Sequence, residues 1–187
     1  MKADENKKNR FLKTKEIQQL LDDFHIQLHE VQSGHKNRAL LQRCTTLEEI
    51  ILQPKYYEFY NSFSRCTPKM SKNNRIFALA AIAGLLAHIR HDVRDDPFAR
   101  QLRGKGSKPL LSPLRFRQLQ EARDWNEFYH RLRRAIQLLG NKANIISLAD
   151  GVLRWAKEQD HQNFPMMFSR QVMVDWAMDY FQATGEN

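Results

Sequence analysis

Cysteine is almost missing from this chain. Cys44 and Cys66 are the two in 187 residues. They match neither a CxxC pair nor zinc-ligand spacing, which excludes a disulfide framework and a cysteine-built zinc site. Two free buried thiols in a reducing cytoplasm are expected instead. Glycine is also scarce, with seven residues, and alternating β-branched stretches are hard to find. Both shortages argue against a sheet, and the apolar residues recur at helical spacing. A glycine-rich phosphate cradle is absent: GKGSKP, Gly104 to Pro109, lacks the GxxxxGK[ST] spacing and follows no strand. The longest apolar run, Ile76 to Ala87, is too short to span a bilayer. No signal-type apolar run follows the lysine-rich N-terminus, so secretion is not expected. The last shortage is of carboxylates: 21 Asp and Glu face 30 Lys and Arg, for a net charge of +9. An anionic partner, nucleic acid above all, suits that field.

What remains suffices for a core. A chain of this length buries roughly 70% of its unfolded surface without staples. It divides into a basic tail over residues 1–15, an N-terminal helical bundle over 16–96, a linker with a basic loop over 97–112, and a C-terminal helical bundle over 113–187. The expected class is all-α, two packed helical bundles of about eight or nine helices. No internal repeat is visible.

The charge is concentrated. Between Arg100 and Arg134 lie ten cations and three carboxylates, a local balance of +7. Asp124 and Glu127 form a capping-box pattern, so a helix starts near Trp125. Trp125, Phe128, Tyr129, Leu132, Ala135, Ile136 and Leu139 fall on one arc of it; His130, Arg131, Arg133, Arg134 and Gln137 fall on the other. Gly140 is the expected stop.

In chain order, the lysine-rich tail either touches a phosphate backbone or solubilises a terminus. A first helix is expected from about Lys15 to Gln32, carrying Ile17, Leu20, Leu21, Phe24, Leu28 and Val31, with Ser33 and Gly34 breaking it. A short helix from Lys36 to Cys44 follows. Thr45 with Glu48 and Thr46 with Glu49 offer overlapping capping boxes, and Pro54 opens the next helix at its first position. Its aromatics, Tyr56, Tyr57, Phe59, Tyr60 and Phe63, read as packing more than as base-stacking platforms. Ile76 to Arg90 is apolar almost all round, the pattern of a central buried helix, and a close helix crossing would explain Gly84 inside it. GKGSKP is either a linker or a nucleic-acid-contacting loop. Ser112 and Pro113 start a helix as N-cap and N1. Ser147 is expected to cap another, Phe164 and Pro165 mark a turn, and a last helix runs near Ser169 to Phe181.

Catalysis finds no constellation. His25 and His29 have metal-capable i, i+4 spacing, but nothing completes a ligand set. His88, His91 and Asp92 loosely suggest a phosphohydrolase pair without its remaining histidines. No nucleophile elbow or paired catalytic carboxylates occur. Binding without catalysis, with no metal and no cofactor, is the reading.

The order of several short patterns resembles a known family. Arg115, Phe116 and Leu119 give an RF-x-x-L helix. Ala122 and Asp124 form an A-x-D turn. Leu132, Arg133 and Leu139 lie on a leucine- and arginine-rich helix, and Leu153 and Trp155 give an L-x-W ending. Trp176 to Phe181 closes the chain with W-x-x-x-[FY]. Gly34 to Cys44 and the P-x-[FY][FY] element at Pro54, Tyr56 and Tyr57 fit more loosely. Together these are similar to the small subunit (CasB) of the type I-E CRISPR Cascade. The resemblance implies a cytoplasmic, non-catalytic, two-part helical subunit of a ribonucleoprotein. Its implied partners are the guide crRNA, the target and displaced DNA, the other Cascade subunits and a second copy of itself, with no membrane. It implies stabilisation of the R-loop in antiviral defense. The candidate contacts are Lys36, Arg38 and Arg43, then Arg103, Lys105, Lys108, Arg115, Arg117, Arg123, Arg131 and Arg134. Two other readings stay open: a helical scaffold whose basic face meets acidic proteins, and a small helical DNA-binding regulator.

Overall fold

Helix α5, Lys72–His88, is the element around which the others pack. Ser71 caps it, its Oγ accepting the Asn74 amide at 3.2 Å. Every residue from Ala78 to His88 is buried, so this helix has no solvent face along its second half. In the computed structural model, which describes residues 11–29, 32–160 and 172–182, the chain forms two helical bundles packed on each other. Ten α-helices occur among the described residues. The basic stretch over residues 1–10, Val31, the turn at Phe164 and Pro165 and the expected helix start at Ser169 lie outside them.

The first bundle holds α1 (Lys15–His29), α2 (Gln32–Arg43), α3 (Leu47–Ile51), α4 (Pro54–Phe63) and α5. The second holds α6 (Phe98–Arg103), α7 (Pro113–Gln120), α8 (Trp125–Leu138), α9 (Ile145–Asp160) and α10 (Val172–Gln182). Helix α5 packs on α1 to α4 and also on α8 and α9, so a single apolar core runs through both bundles. Leu12 is fully buried in it, and the Phe11 and Leu12 amides donate to Asp150 Oδ1 of α9 at 2.7 and 3.0 Å.

Several helix ends follow the sequence. Thr46, not Thr45, makes the capping box with Glu49. Pro54 stands in the first turn of α4. Ser112 caps α7, with Pro113 in its first turn. Gly140 sits at φ 67° beyond α8, the left-handed stop that glycine favours. Three expectations are corrected. Gly34 does not break a helix. It lies buried within α2, where a Cβ would overlap the Gln27 carbonyl of α1, so its bare backbone lets the two helices touch. Ser147 does not cap α9. Asn144 Oδ1 accepts the Ser147 amide at 2.9 Å, and Ser147 Oγ instead accepts the Phe98 amide at the start of α6, 3.0 Å away. Cys66 is half-buried, whereas Cys44 is buried, and both thiols are free.

A link the sequence did not announce joins the bundles. Two-residue strands β1 (His91–Asp92) and β2 (Lys142–Ala143) pair in parallel, His91 opposite Lys142. Asp92 Oδ1 also accepts the Ile145 amide at 3.1 Å.

The C-terminal carbonyls of α5 face protein rather than water, and such groups need donors. His25 Nε2 donates to Ile89 O at 2.8 Å, His29 Nε2 to Leu86 O at 3.0 Å and Gln42 Nε2 to Ala87 O at 2.7 Å. Because a carbonyl only accepts, both histidines carry their proton on Nε2. The metal-capable spacing of His25 and His29 is thus used to cap a helix.

Two predictions follow from this packing. A Cβ at Gly84 would stand 2.5 Å from Ile50 Cδ1 and 2.8 Å from the Tyr129 hydroxyl. Gly84→Ala therefore loses about 1–3 kcal/mol of stability in denaturant titration, despite the better helix propensity of alanine; an unchanged midpoint contradicts the crossing. Burial also pushes His29 and His88 down to about 4, against about 6.5 in an unfolded chain. As pH falls below about 6.5 the unfolded chain takes up protons that the folded one refuses, and this contribution to stability is lost progressively towards pH 4. The melting temperature is expected to drop by several degrees between about pH 7 and pH 5, and by less in His88→Gln. A flat profile contradicts the assignment.

Candidate nucleic-acid interface

The cations of this chain fall into three groups. Some are matched to carboxylates: Arg94 to Asp22 and Asp92, Arg100 to Asp96 at 3.8 Å, Arg131 to Glu127, and Arg154 to Asp175. Others are held by neutral acceptors. Arg38 donates to His29 Nδ1 at 3.2 Å, and Arg103 to Gly106 O at 3.0 Å. Arg133 donates to Gln42 O at 3.0 Å and Cys44 O at 3.2 Å. The third group is exposed, and among the described residues no carboxylate pairs with its side chains. Among the candidate contacts it holds Lys36, Arg43, Lys105, Lys108, Arg115, Arg117, Arg123 and Arg134, and it extends to cations outside them such as Lys72, Arg90 and Lys142. These keep their hydration and their donors for a partner, so they carry the field that the composition announces.

Helix α8 carries one arginine of each group. Asp124 is its N-cap, Oδ1 accepting the Glu127 amide at 2.8 Å. Glu127 does not close the box on Asp124; it reaches the Arg123 amide at 2.7 Å and also pairs with Arg131. Phe128, Tyr129, Leu132, Ala135 and Ile136 face the core, as their arc requires. The outer arc is less uniform than its sequence suggests. Arg134 is exposed. Arg131 is half-buried against Glu127. Arg133 turns to the C-terminal end of α2, whose carbonyls are negative in the helix dipole and lack intrahelical donors.

That bond brings the two ends of the basic sequence together. Arg43 lies between the two residues whose carbonyls Arg133 holds, and Arg134 is the next residue along α8. The end of α2 that carries Arg43 and the part of α8 that carries Arg134, more than ninety positions apart by residue number, are thus tied together. Arg38 is tied to His29 beside the end of α5. Arg115 and Arg117 are exposed on α7, which is seated by Phe116 stacked on Tyr180 at 4.2 Å.

The basic loop forms a second feature. It is closed by the Leu111 amide donating to Leu102 O at 2.9 Å and by Arg103 on Gly106 O. Beside it lies a cleft of about 830 Å³, lined by Arg100, Arg103, Lys105 and Lys142 together with Asp95 and Asp96. Lys142 and Arg100 were not among the candidate contacts. Arg100 heads the basic stretch, but no local signal marks Lys142, because the cleft is assembled from the segment after α5, the loop after α6, the turn after α8 and the end of α10.

No group of three or more His, Cys, Asp or Glu among the described residues could hold a metal ion. No helix among them is long and apolar enough to cross a membrane. A family model described as CRISPR-associated protein Cse2 matches residues 37–181. No curated protein and no solved structure gives a significant match.

Adjacent arginines on α8 should therefore separate by role. Arg133→Ala strips a charged donor from two helix-end carbonyls and costs about 1.5–3 kcal/mol. Arg134→Ala stays within about 0.5 kcal/mol of the parent. Urea melts of the two variants check this, and equal midpoints contradict it.

Proposed function

The chain belongs to the Cse2 family of CRISPR-associated proteins, which makes it a non-catalytic subunit of Cascade, and from that premise we propose that it holds nucleic-acid backbone without reading sequence. The strands proposed are the crRNA–target duplex and the displaced DNA strand, and the effect is stabilisation of the R-loop in antiviral defense. The observation that carries the reading is the set of exposed cations without carboxylate partners, spread over α2, the loop after α6, α7 and α8.

The physical logic runs through balance. Exchanging a DNA duplex for an RNA–DNA heteroduplex is nearly neutral in free energy, so modest backbone contacts tip it. Those contacts must be blind to sequence, because the target changes with every guide. Lysine and arginine on phosphates supply this, whereas base-edge readers would discriminate. A helical regulator would need such readers on one helix. The outer face of α8 is dominated by arginines, one of them spent on α2 and another on Glu127.

Partners follow the same reading. A second copy of this chain and the neighbouring Cascade subunits are proposed to cover exposed apolar side chains such as Leu52 and Leu114, which are 76% and 65% exposed.

The test is binding of the purified chain to labelled single-stranded DNA of unrelated sequences across a salt series. Neutralising about five phosphates on a single strand gives a log–log slope of roughly −3.5. Affinity is expected to be indifferent to sequence and to weaken when the exposed Arg115, Arg117 and Arg134 are changed to alanine. A slope near zero removes the electrostatic account.

A further inference from the structure

The cleft beside the basic loop has a composition that backbone holding alone does not require. A strand tracked only by its phosphates needs a surface of cations. This is a hollow of about 830 Å³, within the roughly 300–1,000 Å³ typical of small-ligand sites. Lys105, Gly106, Ser107, Leu110, Asp95 and Lys142 are among its exposed lining residues. Val93, Asp96, Arg100, Arg103 and Leu139 are among its half-buried ones.

The charges are mixed. Lys105 and Lys142 have no carboxylate partner among the described residues. Arg100 is drawn to Asp96 at 3.8 Å, yet its Nε is buried without a hydrogen-bond partner. Asp95 and Asp96 would repel a run of phosphates threaded through the cleft. They tolerate a neutral ring carrying donors. Val93, Leu110 and Leu139 offer apolar wall, which suits a flat ring and does nothing for a phosphate. Cations for one phosphate, apolar wall for one ring and carboxylates for the ring's amino or imino hydrogens describe a nucleoside phosphate.

We propose that this cleft takes one nucleotide unit of a bound single strand, base inward and phosphate at Lys105 and Lys142. The proposal rests on the backbone-holding role and adds a base-dependent foothold to it. The foothold is tolerant of sequence because the ring meets apolar wall and adaptable polar groups. It would hold the displaced strand against re-annealing, since a base seated in protein cannot pair.

The test compares two strands of about ten nucleotides, a length within single-strand site sizes: oligothymidine, and a wholly abasic strand with the same phosphates. The purified full chain should bind oligothymidine about fivefold or more tightly. A variant carrying Gly106→Leu and Ser107→Leu adds bulk to the lining without changing charge or adding an aromatic face. Both positions are exposed, and a Cβ at Gly106 meets nothing closer than 3.8 Å. In that variant the gap between the strands should close while the salt slope stays. Equal affinity of the parent for both strands overturns the cleft proposal and leaves backbone holding intact. A gap that survives in the variant also overturns it, because the bases are then read elsewhere. Free thymidine monophosphate binding to the parent and not to the variant, with no gap between the strands, overturns the strand as source and assigns the cleft to a soluble nucleotide. Absence of salt-dependent binding to either strand removes the role beneath the proposal.

Discussion

A helix with no solvent face sets the terms for this structure. Over its second half α5 offers alanine, leucine, isoleucine and one glycine, so its neighbours approach closely from every side. Its backbone amides are satisfied within the helix, but its last carbonyls are not. The donors come from α1 and α2, as His25, His29 and Gln42. Burial that makes α5 the shared core also keeps His29 and His88 neutral, so packing, capping and acid sensitivity share one origin. Arg133 repeats the solution at the end of α2, using a cation from the other bundle. The Arg133 bonds, the β1–β2 pair and the core shared around α5 together fasten the bundles.

That fastening has a consequence for charge. Cations recruited to helix ends or to carboxylates are fixed parts of the scaffold. Those left on the surface are the ones with no structural duty, and Lys36, Arg43, Lys105, Lys108, Arg115, Arg117, Arg123 and Arg134 are of this kind. A polyanion meeting them displaces water and counterions, not protein carboxylates, so binding carries no penalty of broken ion pairs. The proposed role in the R-loop needs that economy, since the strand exchange it assists is itself nearly balanced.

Much of the helical skeleton was legible in the sequence because local chemistry decides it. Asp124, Thr46, Ser112 and Pro54 mark helix starts through side-chain oxygens or a fixed φ, and the arc of α8 identifies its buried face. Other features depend on what lies across the interface. Gly34 reads as a breaker until α1 is found against it. Ser147 reads as a cap, but its hydroxyl serves α6 because Asn144 already caps α9. Arg133 cannot be told from Arg134 by spacing on α8; the end of α2 distinguishes them. The cleft with Lys142 was invisible for the same reason, being built from segments brought together by the β1–β2 pair and the packing of α6 on α10.

The most direct test of the account is the lifetime of the R-loop held by reconstituted Cascade. The complex would carry either this chain or a variant with Lys36, Arg43, Arg115, Arg117 and Arg134 changed to glutamine, with subunit assembly checked in parallel. The account predicts an assembled complex whose R-loop dissociates faster, by a similar factor on unrelated target sequences. An assembled complex with an unchanged lifetime would contradict it.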